Sequence, residues 1–255
     1  MSKEILADFH IHTKGGFDSK VPARDVIRKA SELGIEVIAL TDHDRVTHSS
    51  QLVEQAQEFS ILLLPGCEVT TYSKPDSSLS LHFPHVLLVN TPPDELREFL
   101  KKHTFPLHMP TLKETLEWAH IYPEILVIAP HPHPKGTINS LNFEELREYG
   151  EFFHAIEGLN GAGELKLSGK VKSRKVLENY RQRARLAKEI ELTIVGNSDA
   201  HTKSRVGCEH NRVFDNPRTA SEIVAAIKDG SCKPQRYHQI ERQTAVIYSR
   251  PQTAV

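Results

Sequence analysis

The sequence predicts an α/β barrel of seven strand–helix units, and three observations predict it. Short β-rich apolar runs alternate with helical patterns along the chain, as a parallel sheet covered by helices requires. Several runs lack two-residue alternation, which is expected when both faces of a strand are buried. Polar residues of metal-ligand type follow runs one, two, three, five, six and seven, at the strand ends where a barrel gathers its functional groups. Seven such units suit a closed or nearly closed barrel better than a doubly wound sheet.

The elements follow in order. Ile5-Leu6 leads into Asp8 as the first strand. Pro22 opens a helix through Ala30 and Leu33, with Gly34 as its stop. Residues 35–40 are the second strand and 48–59 a helix. Ile61-Leu62-Leu63-Leu64 is the third strand, closed by Pro65-Gly66. Residues 86–89 are the fourth. His85 opens this run instead of ending it, so the strand is predicted to run antiparallel or to distort the barrel. Helical patterns at 94–102 and 112–120 precede the fifth strand at 125–129. A helix near 142–149, a sixth strand near 154–159, a long helix at 172–189 and a seventh strand at 192–195 come next. Residues 220–228 form the last helix, stopped by Gly230. Residues 1–232 therefore read as one barrel domain, 233–255 as a polar C-terminal tail, and 73–82 as an exposed loop.

Composition narrows the class. With 38% apolar and 25% charged residues and a formal net charge of -1, nothing in the balance points to nucleic acid or a membrane surface. No apolar run reaches the roughly 18 residues of a membrane span, and only two large apolar residues separate Met1-Ser2-Lys3-Glu4 from Asp8, which predicts no signal peptide. The three cysteines, at 67, 208 and 232, lack CxxC spacing and read as reduced thiols of a cytoplasmic protein. The 15 histidines favour metal chemistry.

His10 and His12 are two apart on a strand and so share a face beside Asp8. Asp199-Ala200-His201 repeats that spacing after the seventh strand, which in a barrel would neighbour the first. Asp42-His43 follows the second strand. Glu68 follows a fully apolar run, where a carboxylate needs a partner. His131 lies between two prolines. Imidazoles and carboxylates together suit zinc, iron or manganese.

These motifs together resemble the PHP family, the polymerase and histidinol phosphatase superfamily of metal-dependent phosphoesterases. The resemblance is carried by Asp8-Phe9-His10-Ile11-His12-Thr13, Thr41-Asp42-His43-Asp44, Gly66-Cys67-Glu68, His85-Val86-Leu87-Leu88, His131-Pro132 and Ser198-Asp199-Ala200-His201. It implies a distorted barrel of seven β/α units and two to three divalent ions (manganese, zinc or iron). His10, His12, Glu68 and Asp199 would hold one ion, and Asp18, His43 and His201 a second. Glu68 would bridge to a third, completed by His85 and His131. Asp18-Ser19 stands where the family usually carries Asp-Gly, after an unusual Lys14-Gly15-Gly16-Phe17. His82 competes with His85 for its place, and the apolar run after His85 fits the pattern better. Glu157 and Asn160 match a further family signature and are expected to support the ligands.

The chemistry implied is phosphate ester hydrolysis. A water shared by two divalent ions is acidified toward neutral pH and attacks phosphorus in line, with Glu68, Asp199 and His201 as the catalytic residues. Cys67 reads as a packing residue. Lys14, Arg45, Lys203 and Arg205 follow motif residues; Arg45 and Arg205 are favoured for phosphate, which guanidinium grips with two bonds. The expected substrate is a phosphorylated small molecule or short nucleotide, with no membrane and no inferable protein partner. Nine basic residues between 166 and 188, against Glu178 alone, leave open a nuclease on short single strands. The sequence also admits an amidohydrolase-type C–N hydrolase and a non-catalytic metal-stabilised scaffold.

Overall fold

The computed structural model describes residues 4–73, 82–103, 108–162 and 169–236, apart from the side chains of 169–173. Nine strands form one sheet: β1 (Ile5–Ile11), β2 (Val37–Leu40), β3 (Leu62–Thr70), β4 (His85–Val89), β5 (Leu126–Ala129), β6 (Ala155–Asn160), β7 (Thr193–Asn197), β8 (Glu209–Val213) and β9 (Cys232–Arg236). Their order is β7-β6-β5-β4-β3-β2-β1-β8-β9. The helices are α1 (Ala23–Glu32), α2 (Ser50–Glu58), α3 (Pro93–Lys102), α4 (Leu112–His120), α5 (Phe143–Glu148), α6 (Gly169–Glu189) and α7 (Ala220–Lys228).

The strand count corrects the expectation of seven. β8 and β9 have little apolar patterning, yet β8 pairs antiparallel with β1 and β9 with β8. Their pairing comes from an available sheet edge and not from their own sequence. Residues 233–236, expected in the tail, belong to β9, while 237–255 lie outside the described residues. β4 runs antiparallel to both β3 and β5, one of the two alternatives that the position of His85 left open.

β3 is longer than expected. It continues through Pro65-Gly66 to Thr70 because these two residues mark a change of partner and not an end. Pro65 pairs with Leu40 on β2, and Gly66 pairs with Val89 on β4. A Cβ at Gly66 would lie 2.8 Å from Thr41 Cγ2 and 2.9 Å from the Leu88 carbonyl oxygen, so the close approach requires glycine there.

The sheet curls until β7 comes beside β1, and side chains complete the closure. Asn211 of β8 accepts from Gly196 N (2.9 Å) and donates to the carbonyls of Gly196 (2.8 Å) and Ala7 (3.3 Å). Phe9 N donates to Asn197 Oδ1 (3.0 Å), and His12 N donates to the Ala200 carbonyl (3.0 Å). One buried cluster joins Ala7, Phe9, Val37, Ala39, Leu87, Ile128 and Val195 with Ile223, Val224 and Ile227 of α7. A second packs Ile11, Ile38 and Leu40 against Val26, Ile27 and Ala30 of α1 and Ala56 of α2. Phe9 and Ile11, which strict alternation would place together, fall in different clusters because the β1–β2 register shifts between Asp8 and Ile11. Such an irregularity re-aims side chains, and it lies where His10 and His12 leave the sheet.

Four of the helix starts are capped by side chains. Thr111–Glu114, Asn142–Glu145 and Thr219–Glu222 form capping boxes for α4, α5 and α7, and Ser49 Oγ accepts from Leu52 N at α2. Residues 74–81 of the expected exposed loop lie outside the described residues. Its two ends are packed, for Ser73 Oγ donates to Glu145 and the buried His82 ring lies 3.0 Å from the same carboxylate.

Candidate metal centre

The nine residues expected as ligands come together at one end of the barrel. His10 sits on β1, with His12 and Asp18 in the loop after it. His43 follows β2, Glu68 is in the second half of β3, and His85 starts the reversed strand β4. His131 follows β5, and Asp199 and His201 follow β7. Because β4 is antiparallel, its first residue lies at the same end as the last residues of its neighbours, so His85 needs a start position where the others need an end.

The donor atoms form three overlapping groups. In the first, His10 Nε2 lies 3.0 Å from His12 Nε2, 3.0 Å from Glu68 Oε2 and 3.5 Å from Asp199 Oδ1. His12 Nε2 lies 3.1 Å from Glu68 Oε2 and 3.3 Å from Asp199 Oδ1. In the second, Asp18 Oδ2 lies 2.6 Å from His201 Nε2 and 3.3 Å from His43 Nε2. In the third, Glu68 Oε1 lies 2.9 Å from His85 Nδ1 and 3.0 Å from His131 Nε2. Glu68 thus faces two groups with its two oxygens. His82 is elsewhere, on Glu145, which decides between it and His85.

This donor set fits divalent ions on two observations. Ligands about 2.1 Å from a tetrahedral ion lie ~3.4 Å from one another, and the first group's atoms are 3.0–3.5 Å apart. Moreover, His12 Nδ1 and His43 Nδ1 are buried with no hydrogen-bond partner, an arrangement that costs free energy unless something else uses the nitrogen. His12 Nδ1 lies 3.8 Å from Asp18 Oδ1, which brings His12 to the second group as well as the first.

Burial alone would raise the pKa of Glu68, but His10, His85 and His43 outweigh it and hold the carboxyl well below its ordinary range. Asp199 is likewise lowered despite burial, by His10 and His12. Burial disfavours a charged His10, yet the surrounding Glu68, Asp199 and Glu157 carboxylates raise its pKa, and His12 is raised to about 9 by Asp199 and Glu68. The carboxylates stay ionised and the pocket demands positive charge.

Other residues position these groups. Glu157, fully buried on β6, accepts from His10 Nδ1 (2.8 Å) and Asn197 Nδ2 (2.9 Å) through Oε1. Through Oε2 it accepts from His131 N (2.8 Å) and Asn160 Nδ2 (2.8 Å). Asn160 also donates to Asp199 Oδ2 (3.1 Å). These contacts meet the expectation of a supporting role for both residues. His131 and Asp199 hold positive φ values of 34° and 47°, a conformation that persists only where surroundings impose it; Glu157 accepts from His131 N, and Asn160 donates to the Asp199 carboxylate. The sequence reading missed Asp8, which accepts from Ser198 N and Gly207 N and ties β1 to the loops carrying Asp199 and His201. It also missed Asp42 as an anchor, accepting from Thr13 and Thr47. Their place within the motifs Asp8-x-His10 and Asp42-His43 was the available signal.

Of the residues expected at phosphate, Arg45 is exposed. Arg205 donates to the Gly161 carbonyl, so part of its guanidinium is already engaged with the chain. Cys67 is fully buried, and desolvation pushes its thiol pKa well up, as befits packing. In α6, Arg174, Lys175, Arg181, Arg185 and Lys188 are exposed, whereas Arg183 is buried and donates to the carbonyls of Pro132 and Gly158. Lys166 lies outside the described residues.

The PHP domain family profile matches residues 8–229. The chain belongs to the PHP domain family. Uncharacterized protein MJ1587 of Methanocaldococcus jannaschii is 35% identical over 77 residues, 26% of this chain and 45% of that protein. The chain spans less than half the length of the curated relatives it matches. Among solved structures, a two-domain protein from Bacteroides vulgatus containing a predicted PHP-like metal-dependent phosphoesterase superposes with a TM-score of 0.64 at 19% identity, covering 92% of this chain and 66% of that one. An amidohydrolase from Chromobacterium violaceum, solved with bound sulfate and no metal, gives 0.60 at 16% identity over 90% and 97%. No helix among the described residues is long and apolar enough to cross a membrane.

Proposed function

We propose that this protein is a metal-dependent phosphoesterase acting on a phosphorylated small molecule or short nucleotide in the cytoplasm. The observation that carries the reading is the convergence of six histidines and three carboxylates, with two buried imidazole nitrogens that face carboxylates without making a hydrogen bond. His10, His12, Glu68 and Asp199 would hold one ion, Asp18, His43 and His201 a second, and Glu68, His85 and His131 a third. Manganese, iron and zinc all suit such mixed donors. Bound divalent ions acidify a water and neutralise charge on phosphate oxygens.

The chain's own part is to hold these groups in place before substrate arrives. Glu68 presents one carboxylate oxygen to each of two neighbouring groups. Asp18 and His201 close the set on the solvent side, with side chains 21% and 33% exposed. Arg45, exposed in the loop after β2, is free to meet a phosphate oxygen.

The test is metal content together with hydrolysis of a phosphomonoester, a phosphodiester and an amide, comparing wild type with His10→Ala and Asp199→Ala. Two to three ions per chain and ester hydrolysis lost by at least ~100-fold in both variants are expected. Amide turnover without ester turnover would give the reaction to the C–N class, and a folded, metal-supplemented protein that binds no metal would end the reading.

A further inference from the structure

The loop between His12 and Asp18 is pinned down on one side. Lys14 N donates to the Val21 carbonyl (2.7 Å), and Gly16 N to the Thr13 carbonyl (3.1 Å). Thr13 N and Oγ1 each donate to Asp42 at 2.6 Å. A Cβ on Gly15 would lie 2.4 Å from Thr47 Oγ1 and 2.8 Å from Asp42 Oδ2, so the backbone lies directly against that carboxylate. This anchored loop holds out Phe17, which at 82% exposed is the most exposed large apolar side chain among the described residues. Its ring stacks on His43, with centroids 5.3 Å apart and planes 22° apart. Phe17 also directly precedes Asp18, whose carboxylate meets His43 and His201.

A phenyl ring so placed contributes little to the fold by burial. It does extend a planar surface outward from the centre, from a histidine among the donor groups to an apolar face in water. Stacking on such a face is favourable for any flat π-system, in an offset or tilted arrangement, and discriminates against saturated groups. We propose that Phe17 is a stacking platform for an aromatic or heteroaromatic ring carried by the phosphate ester, so that the site selects ring-bearing esters over alkyl esters. This deepens the phosphoesterase reading and rests on it. The phosphoryl group sits among the metal-ligating residues, and the organic group leaves toward the rim along the His43–Phe17 stack.

The experiment uses manganese-loaded protein and non-hydrolysable probes: methylphosphonate, benzylphosphonate and naphthylmethylphosphonate. Their affinities are measured by calorimetry for wild type, Phe17→Leu and Phe17→Trp, with metal content determined for each. Wild type is expected to prefer the naphthyl probe to methylphosphonate by about 10-fold, on the scale of an aromatic pair. Phe17→Leu should reduce that preference to about 2-fold while metal content and methylphosphonate affinity stay unchanged, and Phe17→Trp should keep it. A ring preference undiminished in Phe17→Leu overturns the inference. So does a parallel fall in metal content and in all three affinities, since Phe17 would then only prop His43. Metal-replete wild type that binds none of the probes overturns the phosphoesterase reading and this inference with it, an outcome distinct from the other two.

Discussion

Glu157 is where one side chain controls most of the centre. Its two oxygens accept from four N–H groups, two of them on His10 and His131. The His10 contact fixes that ring so that Nε2, not Nδ1, faces Glu68 and Asp199. A glutamine in its place would turn an N–H toward one pair of donors. Glu157→Gln is therefore expected to lower metal affinity by ~10- to 100-fold, the usual effect of losing a carboxylate behind a ligating histidine. Metal titration would show this with an unchanged circular dichroism spectrum. Eight of the nine expected ligand positions were legible as residues because each lies in a short motif at or near a strand end, whereas Asp18, in the loop beyond β1, came from the family resemblance alone. Their grouping through Glu68 came from the family resemblance, and the distances agree with it. The double orientation of His12 was not legible, because which ring nitrogen faces which carboxylate depends on partners distant in sequence.

At the level of elements, strand starts matter as much as strand ends. His154 heads β6 and joins it to both neighbours: His154 N donates to the Val127 carbonyl (2.9 Å), Val127 N donates to His154 Nδ1 (3.0 Å), and Thr193 N donates to the His154 carbonyl (3.1 Å). Nδ1 must stay unprotonated to accept that bond. Burial, reinforced by Lys228 and His120, lowers the His154 pKa to about 4. The unfolded chain, with an ordinary histidine near 6.5, then binds more protons than the folded one between those values. The stability due to neutral His154 is complete above pH 6.5 and is lost as pH falls toward 4. After allowance for solvent screening this is worth about 2 kcal/mol. Urea unfolding at pH 7.5 and 5 should show wild type losing about 1 kcal/mol more than His154→Gln, which keeps an acceptor and does not titrate, because pH 5 lies only part of the way down to the folded pKa. Seven of the nine strands and all seven helices were visible from apolar runs and breakers. β8 and β9 were not, since Glu209-His210-Asn211-Arg212-Val213 carries a single aliphatic residue.

For the whole molecule, the question is how an open sheet becomes a barrel. No strand ladder joins β7 to β1; backbone pairing across the seam is the bridge between Ile11 and Ala200, just beyond β7, while β8 lies beside the gap and Asn211 reaches both sides. Asn211→Leu, similar in size, would leave Gly196 N–H, the Gly196 carbonyl and the Ala7 carbonyl without this partner in a buried setting. The expected loss is about 3 kcal/mol, at ~1–3 kcal/mol for each buried group left unsatisfied, read as a lower urea midpoint. Loss of bound metal should accompany it, because the same seam holds His10 and His12 against Asp199 and His201.

The sequence by itself determined the alternation of strands and helices, the irregularity of β4 signalled by a histidine at its start, and the motifs that carry the candidate metal ligands. Those properties are local, written in apolar periodicity, breakers and short motifs. The tertiary structure alone decided that β3 passes through Pro65-Gly66, that two polar strands extend the sheet, that Asn197 and Asn211 close it, and that Glu157 orients the ligands from beneath. Each of these depends on contacts between residues far apart in the chain. A polar side chain has no preferred partner until the fold removes water from around it.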